Sequence, residues 1–190
     1  MTIWLTADHH AGHHNIIEYT NRPFANVAEM DSELIRRHNK VVAQNESVYM
    51  LGDVTLANLE YTYNFLNQLN GTLYIVPGGH DYWIEKHNRL PSSVELASKL
   101  QPNKVVILPS LYTLKPVYTR YPSCILCHFA LRTWHKSHYN SFHFHGHSHG
   151  QLPTAYNCLD VGVDVHNFYP ISLDKASKKI EKNNENLDKN

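Results

Sequence analysis

Four short segments concentrate the side chains able to do chemistry: Thr6-Ala7-Asp8-His9-His10, Leu51-Gly52-Asp53-Val54, Pro77-Gly78-Gly79-His80-Asp81 and His145-Gly146-His147-Ser148-His149-Gly150. Carboxylates and imidazoles dominate them, a donor set that suits Mn, Fe, Zn or Ni better than a thiolate-seeking metal. Three of the segments follow apolar, β-branched runs, namely Ile3-Trp4-Leu5, Val48-Tyr49-Met50-Leu51 and Leu73-Tyr74-Ile75-Val76. The candidate ligands are therefore expected at the carboxyl ends of strands, where open α/β sheets place their sites. Residues two apart in an extended segment share a face, so Asp8 and His10 can grip one cation while His9 points elsewhere.

The ordered set Asp-x-His, Gly-Asp-Val, Gly-x-His-Asp, a lone His, then Gly-His-x-His resembles the signature of the calcineurin-like metallophosphoesterases, over nearly the whole chain. The stretches Ala11-Gly12-His13-His14-Asn15-Ile16-Ile17, Asn21-Arg22-Pro23-Phe24 and Asp160-Val161-Gly162-Val163-Asp164-Val165 are similar to the small, uncapped bacterial and phage branch of that family. The resemblance implies two divalent cations. Asp8, His10 and His149 would serve the first, His128 and His147 the second, and Asp53 would bridge them, one oxygen to each, at a separation of roughly 3.5–4 Å. It further implies a phosphoesterase, a phosphodiesterase above all, acting on a small phosphate ester by in-line attack of a metal-bound hydroxide. His80 would protonate the departing oxygen or stabilise phosphate charge, a task suited to the side chain that titrates nearest neutrality. Asp81 is the neighbour placed to orient His80, although the same position fits a helix N-cap. His13 and Arg22 come from loops expected to rim the site and offer donors to phosphate.

One position departs from the family pattern. Where the family has asparagine before the histidine, contributing a carbonyl oxygen to the second metal, this chain has Gly79. The second ion is therefore expected to be held more weakly. Two other functions share the same fold: a nuclease, and a catalytically impaired scaffold. Against the nuclease stand 17 Lys plus Arg balanced by 17 Asp plus Glu and no basic stripe. Against the scaffold stands the retention of His80 and the six ligands.

Periodicity supplies the elements that must position these groups. Asn26 and Glu29 have capping-box spacing, and Met30, Leu34, Ile35, Val41 and Val42 form one stripe, predicting a helix from about Val27 to Ala43. A second fits Asn58 to Leu69, stopped by Asn70-Gly71. Beyond Gln101 short strands dominate, about Val105 to Leu108, Leu111 to Leu114, Cys124 to Cys127, Phe142 to His145 and Cys158 to Val163. Helices alternating with strands, then mostly strands, suggest two mixed sheets packed face to face with helices outside. The resemblance implies the same α/β architecture, a four-layer αββα sandwich. One domain over 1–173 is expected, followed by a polar tail, 174–190, ending as a short frayed helix or disorder.

Composition bounds the rest. At 190 residues the chain can bury a core without disulfides, and its 42% apolar content contains no run long enough to span a bilayer. The odd set Cys124, Cys127 and Cys158, with no leader before the first strand, points to a reducing, cytoplasmic setting and to packed thiols. Oligomeric state is not legible.

Overall fold

The structure, a computed structural model, describes residues 2–89, 98–115 and 122–189. Chain order runs β1 (Ile3–Thr6), α1 (Asn15–Tyr19), α2 (Val27–Val41), β2 (Ser47–Met50), α3 (Leu59–Gln68), β3 (Thr72–Ile75), α4 (Trp83–Arg89), β4 (Val105–Ile107), β5 (Leu111–Leu114), β6 (Cys124–Cys127), β7 (Phe142–His145), β8 (Cys158–Asp160), β9 (Ile171–Ser172) and α5 (Leu173–Leu187). These strands make two mixed sheets. The first has the order β4-β3-β2-β1-β9, parallel except for β9; the second has the order β5-β6-β7-β8, parallel except for β5.

Alternation along the strands divides the core in two. Val48, Met50, Leu73 and Ile75 face outward beneath Met30 and Leu34 of α2, Phe65 and Leu66 of α3 and Trp83 of α4. Leu5, Tyr49, Leu51 and Val76 face inward, against Leu126, Phe144 and Leu159 of the second sheet. This is the expected two-sheet sandwich. Its first outer layer is helical, whereas the outer face of the second sheet carries His143 beneath the 129–141 segment, whose only regular turn among the described residues is a 3₁₀ turn at Ser137–Tyr139. Asn26 and Asn58 cap α2 and α3 through their side-chain oxygens, which accept the N–H groups of Glu29 and Tyr61.

The polar tail, expected to end as a short frayed helix or disorder, forms the 15-residue helix α5. Ser172 caps α5 by accepting the Lys175 N–H, and Leu173, Ala176, Ser177 and Ile180 are buried at spacings of three and four, so α5 completes the inter-sheet core beside β1, β8 and β9. A run of Lys, Asn and Glu on the exposed face hides that stripe in a composition reading. Helices α1 and α4 were also not legible in periodicity, being only 5 and 7 residues long. The three cysteines are free and buried, and burial pushes the Cys124 thiol up to about 12. No helix among the described residues is long and apolar enough to cross a membrane.

Candidate metal centre

Five parallel strands end at one rim. Asp8 and His10 follow β1, Asp53 follows β2, His80 and Asp81 follow β3, His128 ends β6, and His147 and His149 follow β7. The loops are joined by backbone hydrogen bonds. Asp8 N–H donates to the Gly52 carbonyl oxygen, His10 N–H to that of Asp53 and Gly146 N–H to that of His128, each at 3.0 Å. Close approach depends on glycine: a Cβ at Gly78 would lie 2.4 Å from the Asp53 carboxylate, and one at Gly146 would lie 2.6 Å from Asp8 Oδ2.

Asp8, His10, Asp53, His147 and His149 all have positive φ, between 46° and 66°. Left-handed backbone costs a non-glycine residue about 1 kcal/mol or more, and such residues collect where function over-determines geometry. The result is two adjoining triads, Asp8–His10–His149 and Asp53–His128–His147, whose ligand atoms lie within 4.8 Å of one another in each. Asp53 stands between them, its Oδ2 3.7 Å from His10 Nε2 and 3.4 Å from His128 Nε2. Ligands about 2.1 Å from a shared cation are roughly 3.0–3.6 Å apart; the 3.4 Å spacing to His128 falls in that range and the 3.7 Å spacing to His10 lies just beyond it.

The residues present fit a metal on a further ground. His10 Nδ1 and Nε2 and His128 Nε2 are buried with no hydrogen-bond partner among the described residues, and an orphaned buried nitrogen is costly unless something else engages its lone pair. His128 Nδ1–H donates to the Leu51 carbonyl oxygen at 2.8 Å, which leaves Nε2 as the free lone pair. Burial pushes His10 down to about 3 despite the pull of Asp53, so it is neutral, the form that ligates. Burial also pushes the Asp8 carboxyl up to about 7, against the His147 N–H and the His149 charge; a divalent cation is the kind of partner that holds such a group ionised. In Asp53 burial works the same way, but His128, the His80 N–H and His10 outweigh it and hold the carboxyl at about 2.

Two expectations need correction. Arg22 is not a phosphate donor at the rim: it is 5% exposed, and all five of its N–H groups are committed. They reach both oxygens of Asp164 (2.8 Å each), the carbonyl oxygens of Asp8 and His9 (2.8 Å each) and Met30 Sδ (3.3 Å). Asp164 in turn accepts His149 Nδ1–H at 2.7 Å, so Arg22 positions three loop residues through one carboxylate and two carbonyls. Asp81 does not touch the His80 imidazole. Its carboxylate accepts the N–H groups of Asp53, Val54 and Gly78 at 2.8, 2.9 and 2.8 Å and the indole N–H of Trp83 at 3.0 Å, fastening two loops together.

The other members sit at the opening. His80 is exposed, its N–H donates to Asp53 Oδ1 at 2.8 Å, and its ring centroid is 5.8 Å from that of His10. His13, half-buried, lies 5.7 Å from His10. Gly79 is exposed, and among the described residues a Cβ there would meet only Phe129 Cζ, at 4.0 Å. Asp164 and Phe129 were missed in the sequence; the first stands 142 residues from Arg22, its principal partner, and the second follows His128 with no pattern to mark it.

No family model matches the chain. It is similar to a protein of unknown function from Aquifex aeolicus, AQ665, whose crystal structure superposes with a TM-score of 0.68 at 19% identity over 94% of this chain and 99% of that one, a likeness of fold. It is 31% identical over 189 residues to the uncharacterized protein MJ1445 of Methanocaldococcus jannaschii, covering 95% of this chain and 92% of that protein, and belongs to the same family.

Proposed function

We propose that this member of the MJ1445 family is a metal-dependent phosphoesterase, most of all a phosphodiesterase, of the calcineurin-like kind that its motifs resemble. One observation supports this before any other: five left-handed residues on three loops converge, together with His128, as two adjoining triads with Asp53 standing between them. Two divalent ions of the Mn, Fe, Zn or Ni class would be held by Asp8, His10 and His149 on one side and by His128 and His147 on the other, with Asp53 between. Such a pair supplies a lowered pKa for water and positive charge to offset the phosphoryl oxygens.

The chain's own groups account for the remaining tasks. His80, at the opening, is tethered by its backbone to Asp53, so its imidazole is free to reach an ester oxygen and give it a proton as the P–O bond breaks. His13 lines the same opening as a donor to a phosphoryl oxygen. Arg22, Asp164 and Asp81 hold the ligand loops in register, which keeps attacking and leaving groups aligned. Gly79 favours a weak second ion and so a strong dependence on added metal.

The test is turnover of bis(p-nitrophenyl) phosphate by purified protein with added Mn, alongside metal analysis. Asp53→Ala is expected to abolish activity and lower the bound metal, whereas His80→Ala is expected to lose about 10²- to 10⁴-fold in turnover with metal content retained. Undiminished turnover in Asp53→Ala would sink the proposal.

A further inference from the structure

Phe129 is the side chain of this site that the chemistry above leaves unused. A large apolar ring is ordinarily buried, yet this one is 46% exposed. It stands over the second triad, its centroid 4.8 Å from those of both His128 and His147. Nor is it loosely presented. His143, buried on the outer face of the second sheet, donates from Nδ1 to the Ile125 carbonyl oxygen at 3.0 Å and accepts the Leu131 N–H at Nε2 at 3.1 Å, which pins the turn carrying Phe129 to strand β6. Burial lowers His143 to about 4, so the neutral imidazole this arrangement requires is the stable one.

The exposed ring lies beside His128 and His147. Gly79, next along the chain to His80 and with no left-handed φ that would demand glycine, faces its tip: among the described residues Phe129 Cζ, at 4.0 Å, is the heavy atom a Cβ built there would meet. Resting on the phosphoesterase reading, we infer that this exposed ring packs against a flat aromatic or heterocyclic group of the ester, so that Phe129 gives the site a preference for aryl and nucleoside phosphodiesters over alkyl ones. One offset or edge-on aromatic pair changes affinity by about two- to tenfold beyond the apolar area it covers.

The experiment is titration calorimetry of the Mn-loaded full chain with phenylphosphonate and methylphosphonate, neither of which has an ester bond to cleave. Wild type is expected to bind the phenyl compound several-fold tighter, Phe129→Tyr to keep that ratio, and Phe129→Ala to bring it near one. Should Phe129→Ala fold poorly, Gly79→Leu, at an exposed position facing the tip of the ring, covers that ring and is expected to remove the ratio as well. Equal affinities in wild type, or a ratio untouched by both variants, would overturn the inference and leave the exposed ring to a contact with another protein. Hydrolysis separates the two readings. If aryl and alkyl diesters are both cleaved while the phosphonates bind equally, the platform is lost and the phosphoesterase stands; if neither diester is cleaved while the phenyl preference holds and depends on Phe129, the platform stands and the phosphoesterase reading fails.

Discussion

At the scale of single residues, the site depends as much on what orients the ligands as on the ligands themselves. Asp164 receives two N–H groups from Arg22 and one from His149, and the pull of these partners outweighs burial and holds its carboxyl at about 2. Asp164→Asn removes one acceptor and leaves a buried guanidinium without its counter-charge. Metal affinity at the first triad should fall by roughly 10- to 100-fold, the usual effect of losing a ligand's outer partner, and stability by about 3 kcal/mol; calorimetry with Mn and urea unfolding check the two separately. Gly79→Asn acts in the opposite direction. The site has space for the side chain and no left-handed strain, so the carbonyl oxygen should tighten the second ion by roughly 10- to 100-fold and reduce the dependence of turnover on added metal. Two equally tight ions with glycine in place would show that another group fills the role.

At the scale of elements, the junction of α2 with the α3–β3 turn concentrates buried polar groups away from the site. His38 Nε2–H donates to the Asn70 carbonyl oxygen at 2.9 Å, and the Lys104 ammonium donates to those of Leu69 and Gly71. Burial, aided by Lys104 and opposed by Asn70, pushes His38 down to about 4. The unfolded chain, with an imidazole near 6.5, binds the proton more readily than the fold does. This contribution is therefore fully present above pH 6.5 and is lost as pH falls toward 4, by about 3 kcal/mol in all. His38→Gln keeps a donor for Asn70 but cannot titrate; its urea midpoint should fall less than that of wild type between pH 7 and pH 4.5, and an equal fall would exclude His38 as a source. Elements of this length were legible in the sequence because they carry full periods: the capped stripe of α2 and the alternation of β7, where Phe142 and Phe144 face the inter-sheet core, are one-dimensional signals. The α5 stripe is just as regular, but a reading weighted by composition passes over four buried positions among fifteen.

For the molecule as a whole, the residues of the two candidate metal-binding triads were legible while their support was not. Asp8, His10, Asp53, His128, His147 and His149 are marked by local spacing and strand context. Arg22–Asp164 and Asp81 with its four donors are pairings created by the fold, and their residue types alone suited other roles. The same convergence has a thermodynamic consequence. Five left-handed residues of the two triads, at about 1 kcal/mol each, cost the fold on the order of 5 kcal/mol, and Asp8 adds a carboxyl that burial disfavours as an anion. A cation bound by the native state alone offsets this by mass action, by about 2.7 kcal/mol at a hundredfold excess over its dissociation constant. For a chain of 190 residues that corresponds to a rise in melting temperature of roughly 5–10 °C. Thermal unfolding after chelation, then with Mn restored, should show this rise in wild type and little of it in Asp53→Ala, which loses the shared ligand. A melting temperature indifferent to both chelator and Mn would mean that the two triads are held by protein contacts alone, and would remove the metal from the account of this fold.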